Sequence, residues 1–196
     1  MKPIVKSIYG GLSIAMGCLV YLQSSNKFVG AFLFTVGLFS VVVFELNLFT
    51  GKVCYKEEYK PATIMVWIGN LIGTVVSATI IRFRFGITET ASAMLEAKLA
   101  KSVPELIIDG IVCGICIGIA VKGYRKAEGF GKYLALVLGV MVFIIAGGEH
   151  VVADMFYLTA AGCDIVQMIK ILAAVTVGNI IGGAITVPFN DKQKEV

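Results

Sequence analysis

Val66-Trp-Ile-Gly-Asn-Leu-Ile-Gly-Thr-Val-Val-Ser77 recurs as Val175-Thr-Val-Gly-Asn-Ile-Ile-Gly-Gly-Ala-Ile-Thr186, 109 residues further along the chain. Both copies are apolar and share Gly-Asn-x-Ile-Gly. Each is the third of three apolar stretches: Ser7–Leu22, Phe28–Thr50 and Thr63–Phe83, then Glu105–Val121, Tyr133–Leu158 and Val166–Pro188. Glu45 and Glu149, 104 residues apart, sit at comparable places in the middle stretch of each set. A unit of three spans repeated once must enter a membrane from opposite sides. The expected fold is therefore an all-α membrane protein of six transmembrane helices, built as an inverted 3+3 repeat over roughly 1–87 and 103–188.

Composition points the same way. Of 196 residues, 58% are apolar and 15% charged, with a mean hydropathy of +0.89. Soluble domains hold about half apolar and a quarter charged residues, so a water-soluble globule is excluded, and so is disorder. One span needs about 20 apolar residues, which leaves room for six spans and short connections in a lipid bilayer. The net charge of +4 is spread over those connections, so no basic face for nucleic acid is expected. The first stretch lacks an Ala-x-Ala-type exit and reads as a span rather than a cleaved signal.

With both termini cytoplasmic, eleven basic residues fall inside: Lys2, Lys6, Lys52, Lys56, Lys60, Lys122, Arg125, Lys126, Lys132, Lys192 and Lys194. Six fall outside: Lys27, Arg82, Arg84, Lys98, Lys101 and Lys170. This excess favours that orientation. Cys113 and Cys116 form a C-x2-C pair inside an apolar run with no second pair elsewhere, so they read as small packing residues. Trp67 and the tyrosines near span ends read as interfacial anchors.

The second and fifth spans carry polar residues where continuous helix would lie in hydrocarbon. One has Glu45, Asn47, Thr50 and Gly51; the other has Gly147, Gly148, Glu149, His150 and Asp154. Charge at the bilayer centre costs several kcal/mol and faces protein or a wet cavity. Broken helices offer free N–H groups that favour an anion. Both breaks therefore point inward. Glycines at Gly110-x3-Gly114, Gly69-x3-Gly73 and Gly178-x3-Gly182 predict close helix packing.

Four segments together resemble the formate–nitrite transporter family: Glu45-Leu-Asn-Leu-Phe-Thr-Gly51, Glu96-Ala-Lys98, Gly148-Glu-His-Val-Val-Ala-Asp-Met-Phe156 and Gly178-Asn-Ile-Ile-Gly-Gly183. The resemblance covers nearly the whole chain. It implies a homopentamer of aquaporin-like protomers in the bacterial inner membrane, each with its own pore for formate, nitrite, hydrosulfide or similar anions. It places the pore histidine on His150, the loop threonine on Thr50, the sixth-span asparagine on Asn179 and the vestibule lysine on Lys98. An inner constriction then falls on Leu48 and Phe49, and an outer one on Phe34, Leu38 and Phe143. Asn70 is the first-half counterpart of Asn179.

Three departures stand out. Asp154 replaces the small asparagine usual after His-x-x-Ala, and Gly114 replaces an asparagine of the fourth span. Asp154 thus sets a carboxyl near an anion route, whether charged, protonated or paired with Lys98 or another cation. The chain also starts almost at its first span, so pH gating by a longer amphipathic helix is not carried over.

Two apolar rings make a dry passage, in which a bare ion meets a large desolvation cost. A weak-acid anion that takes up a proton crosses as the neutral acid. Burial favours neutral imidazole, so His150 is expected to offer a hydrogen bond, or transiently a proton, between the rings. Glu45, Glu149 and Asp154 read as structural at the breaks, the two glutamates accepting backbone N–H groups. The main alternative is a neutral-solute facilitator of aquaporin type, although neither break carries Asn-Pro-Ala. A non-transporting membrane subunit is another. No nucleophile–base pair suggests an enzyme. One histidine cannot supply bis-His haem ligation, His/Met ligation stays open, and no cofactor or metal is expected.

Overall fold

Each apolar stretch becomes helix, and the polar interruptions set where the helices stop. The computed structural model describes residues 1–56, 62–86 and 88–190. Lys60, Lys192 and Lys194 of the orientation argument lie outside the described residues. In chain order the helices are α1 (Pro3–Gln23), α2 (Lys27–Val43), α3 (Phe49–Lys52), α4 (Ala62–Phe85), α5 (Glu89–Leu99), α6 (Val103–Lys126), α7 (Gly131–Ala146), α8 (Val151–Ala161) and α9 (Ile165–Ile185). A 3-10 turn follows at Val187–Asn190.

Local chemistry starts them. Asn26 accepts the N–H groups of Phe28 and Val29 at the head of α2. Asp164 does the same for Val166 and Gln167 at the head of α9. Ser102 and Glu105 close a capping box on α6.

Among the described residues, α1, α4, α6 and α9 are long and apolar enough to cross a membrane. The predicted fifth span is α7 and α8, bent by 54° at the Gly147–His150 break. The predicted second span is the 17-residue α2, a break, and the short α3. Outward faces carry large apolar side chains such as Phe28, Phe32, Ile64 and Phe83. This is a multi-span helical membrane protein.

The two breaks are built alike. At the end of α2, Glu45 takes a left-handed φ of 51° and Leu46 N–H donates to Val41 O at 2.8 Å. At the end of α7, Gly147 takes φ 81° and Gly148 N–H donates to Phe143 O, also at 2.8 Å. Asn47 N–H then bonds Lys6 O, and Glu149 N–H bonds Asp109 O. The bonding register therefore pairs Glu45 with Gly147 and Glu149 with Asn47. The sequence expectation that Glu45 and Glu149 correspond is corrected by two residues. Left-handed backbone strains any residue with a Cβ. Glu45→Gly is expected to stabilise the purified protein by about 1 kcal/mol, measured as a higher melting temperature, whereas the β-branched Glu45→Val lowers it.

Two asparagines hold the breaks in place. Asn70 Oδ1 accepts Phe49 N–H at 2.9 Å, while its Nδ2 donates to Ser7 O and Asn47 O. Asn179 Oδ1 accepts Val151 N–H at 2.9 Å, while its Nδ2 donates to Gly110 O and Glu149 O. Each buried amide thus satisfies one helix N-terminus and one carbonyl of the break, and ties both to a carbonyl inside a neighbouring helix, Ser7 of α1 or Gly110 of α6. Close packing lets the asparagines reach: a Cβ on Gly178 would fall against the Ile107 carbonyl and the Gly110 Cα. Trp67 is half-buried and donates to Thr176 Oγ1 at 3.2 Å, so corresponding positions of the two sequence copies touch.

Candidate functional site

Ten of the eleven residues of α8 are buried, which is the signature of a helix surrounded by protein. Its N-terminus lies deep in the fold, and His150 caps it. Nδ1 of His150 accepts the N–H of Ala153 at 3.1 Å, so that nitrogen bears no proton. This bonding pattern assigns a neutral ring protonated at Nε2. Nε2 lies 2.8 Å from Thr50 Oγ1 and donates to it. Thr50 belongs to α3, so the two breaks meet at this one bond. The Thr50 hydroxyl keeps its own proton to donate.

Phenylalanines flank the histidine. Phe143 stacks on the imidazole, with centroids 5.9 Å apart and planes at 21°, and meets Phe34 edge-on at 6.2 Å. Phe34, Phe143 and His150 border a cavity of about 270 Å³ that also touches Lys98, Glu149 and Asp154. Leu38 and Leu48 border a second cavity, of about 390 Å³, with Lys52, Tyr55 and Arg125. The two cavities share no lining residue. Leu38, expected in one ring with Phe34 and Phe143, stands on the second cavity instead. It lies four residues along α2 from Phe34, a helix rise of about 6 Å. Phe49 is buried and borders neither of these cavities; its N–H goes to Asn70. Thr50 and Asn179 are fully buried.

Lys98 sits at the end of α5, which folds inward so that only 6% of the residue is exposed. Its Nζ pairs with Glu149 Oε2 and, at 2.8 Å, with Asp154 Oδ1. Lys101 Nζ bridges Glu149 Oε1 at 2.8 Å and Asp109 Oδ2 at 2.7 Å. Burial alone would push the Lys98 ammonium down, but the carboxylates of Asp154 and Glu149 outweigh it and hold it above the usual lysine range. Burial likewise opposes the Lys101 charge, and Asp109 and Glu149 reverse that as well. Both side chains remain cations.

Glu149 therefore faces two lysines, not backbone N–H groups, while Glu45 is exposed and borders the second cavity. The breaks are braced by the asparagines. Lys101 and Asp109 were missed in sequence, although an aspartate inside an apolar stretch is a signal for a cationic partner. Arg125 and Tyr55 border the second cavity, the guanidinium 4.2 Å from the ring centroid, and the buried Lys122 lies 5.3 Å from the same centroid. Cys113 and Cys116 are free thiols packed within α6.

A family model described as "Formate/nitrite transporter" matches residues 1–189. The chain belongs to the formate/nitrite transporter family. The "Uncharacterized transporter YrhG" of Bacillus subtilis is 30% identical over 94% of this chain and 81% of its own length. The "Formate channel BtFdhC" of Bacillus thuringiensis is 27% identical over 95% and 84%. A solved structure titled "Pentameric formate channel with formate bound" matches with a TM-score of 0.77 at 24% identity, over 96% of this chain and 94% of that one; it speaks to the fold alone. The family is one of formate and nitrite transporters, so this chain is a transport protein and not an enzyme. Its pair of breaks, with His150 and Thr50 between two cavities, is the arrangement that a transport reading has to explain.

Proposed function

We propose that this formate/nitrite transporter family member conducts small monovalent anions of weak acids, namely formate, nitrite or hydrosulfide. Each protomer of a homopentamer in the bacterial inner membrane has its own path. Both termini are cytoplasmic, and the halves 1–87 and 103–188 form an inverted repeat. The Lys98 cavity then opens outward and the Arg125 cavity inward.

The observation that carries this reading is the buried 2.8 Å contact of His150 Nε2 with Thr50 Oγ1: His150 borders the cavity walled by Phe34 and Phe143, and Gly51, next to Thr50, borders the one walled by Leu38 and Leu48. Such walls hold too few polar groups to replace an ion's hydration, so a bare anion is opposed by several kcal/mol. Protonation removes that charge, and the neutral acid needs only hydrogen-bond partners. The hydroxyl of Thr50 and the Nε2–H of His150 supply them where the two breaks meet.

Proteoliposomes test this. Formate and nitrite are expected to enter much faster than glycerol, at rates that rise as the outer medium is acidified. Equal entry of glycerol and formate would make the chain a neutral-solute facilitator, and vesicles as tight as lipid alone would overturn transport altogether.

A further inference from the structure

Two cations and three carboxylates make up the cluster at the Lys98 cavity: Lys98 and Lys101 against Asp109, Glu149 and Asp154. Fully ionised, it holds one negative charge in excess. Burying that charge is costly, and one bound proton removes it.

The hydrogen bonds select where the proton sits. Glu149 receives a lysine on each oxygen. Asp109 receives Lys101 on Oδ2, and its side chain is 27% exposed, so water can serve the rest. Asp154 receives Lys98 on Oδ1, but its Oδ2 is buried with no hydrogen-bond partner among the described residues. The residue is 1% exposed and borders the cavity beside His150 and Phe143. A bare carboxylate oxygen left without a donor is the least stable state for this atom. A carboxylic O–H there is neutral, on a residue that borders the cavity.

Of the other polar groups of this wall, Lys98 and His150 are committed to partners, and the phenols of Tyr21 and Tyr157 are far weaker acids than a carboxyl. Lys98 donates to the Glu149 carboxylate and to Asp154 Oδ1 and stays a cation. The His150 Nδ1 is committed to Ala153 N–H, and its Nε2–H points to Thr50. The remaining titratable groups facing Asp154 are Glu149 at the break, Cys18 of α1, Cys113 of α6 and Tyr157 of α8.

We propose that Asp154 holds a proton on Oδ2 and hands it to the weak-acid anion in the Lys98 cavity. This rests on the chain being a path for such anions. The step balances simply: the Asp154 O–H bond breaks, an O–H bond forms on one formate oxygen, and formic acid moves on toward His150. The new Asp154 carboxylate is held by Lys98 until hydronium from the open side of the cavity restores the acid. A protonated Asp154 also removes the repulsion that a carboxylate would impose on an arriving anion.

Asp154→Asn keeps the shape and removes the proton. Formate flux into proteoliposomes is measured for both proteins from about pH 5 to about pH 8 outside. The ratio of wild-type to D154N flux is expected to change by at least about tenfold, with wild type faster in acid and D154N faster in alkali, where the wild-type carboxylate repels formate. Asp154→Glu restores the wild-type profile. Infrared spectra of wild-type protein in lipid at neutral pH are expected to show a carboxylic-acid carbonyl band, sensitive to deuteration and missing in D154N. Parallel pH profiles for the two proteins, both conducting formate, would overturn the transfer alone. Absence of the band in wild type would overturn the bound proton. Wild-type vesicles that carry no formate would remove the pathway and the transfer together, whatever the spectrum shows.

Discussion

Replacing His150 by asparagine is expected to cut anion flux about a hundredfold while the folded oligomer survives. His150 does two separable things. Its Nδ1 caps α8 through Ala153 N–H, and its Nε2 reaches Thr50 across the junction of the two breaks. Asparagine is a good N-cap and keeps the first task, whereas phenylalanine loses both. Losing a cap costs about 1 kcal/mol, so His150→Phe is expected to melt lower than wild type and His150→Asn close to it. Flux separates differently. Removing a preorganised donor from a water-excluded site costs about 3 kcal/mol at the barrier, which is about a hundredfold, and both variants lose it. Thr50 loses its only donor at the same stroke. Vesicle assays of formate and nitrite uptake at several pH values, beside melting curves of the same preparations, read the two effects independently. Flux equal to wild type at every pH in both variants would show the imidazole to be packing alone.

Much of this arrangement was legible in the sequence, and the limits have physical causes. The apolar runs located the spans to within a few residues, because hydrocarbon thickness imposes their length. The repeated Gly-Asn-x-Ile-Gly marked Asn70 and Asn179, and these prove to make the same three bonds in the two halves. Polar residues inside the second and fifth spans marked the breaks, since charge in a membrane needs a covered place. Register was harder. Spacing alone matched Glu45 with Glu149, but a left-handed turn can hold glutamate or glycine, and the hydrogen bonds align Glu45 with Gly147. Leu38 shared an apolar wall with Phe34 on paper, yet one turn of helix carries it to the other cavity. Lys101 and Asp109 could not be joined to Glu149 without knowing that α5 folds inward. Such pairings depend on side-chain direction between distant elements, which no local pattern encodes.

Lys98→Met is expected to be the most destabilising single change at the site. The ammonium is shared by Glu149 and Asp154 and is almost wholly buried, so its loss leaves Asp154 with no cation and Glu149 with Lys101 alone. Breaking a buried pair from one side costs about 3–5 kcal/mol, because an uncompensated charge stays behind. A melting temperature far below wild type, or loss of the assembled oligomer on gel filtration, would register it. The pH direction follows from the raised Lys98 value. Its contribution is complete below the range of a free lysine and fades only as pH climbs through the higher folded value, so wild type keeps this share of stability up to about pH 10. Salt then separates an ion-paired anchor from a long-range attractor. A lone vestibule lysine would draw anions through a screened field, and its loss would matter most at low ionic strength. A lysine already matched by the Glu149 carboxylate projects little field, so the flux remaining in Lys98→Met is expected to fall by the same factor at low and high salt. A deficit that vanishes as salt is added would return Lys98 to the attracting role that the family resemblance implies.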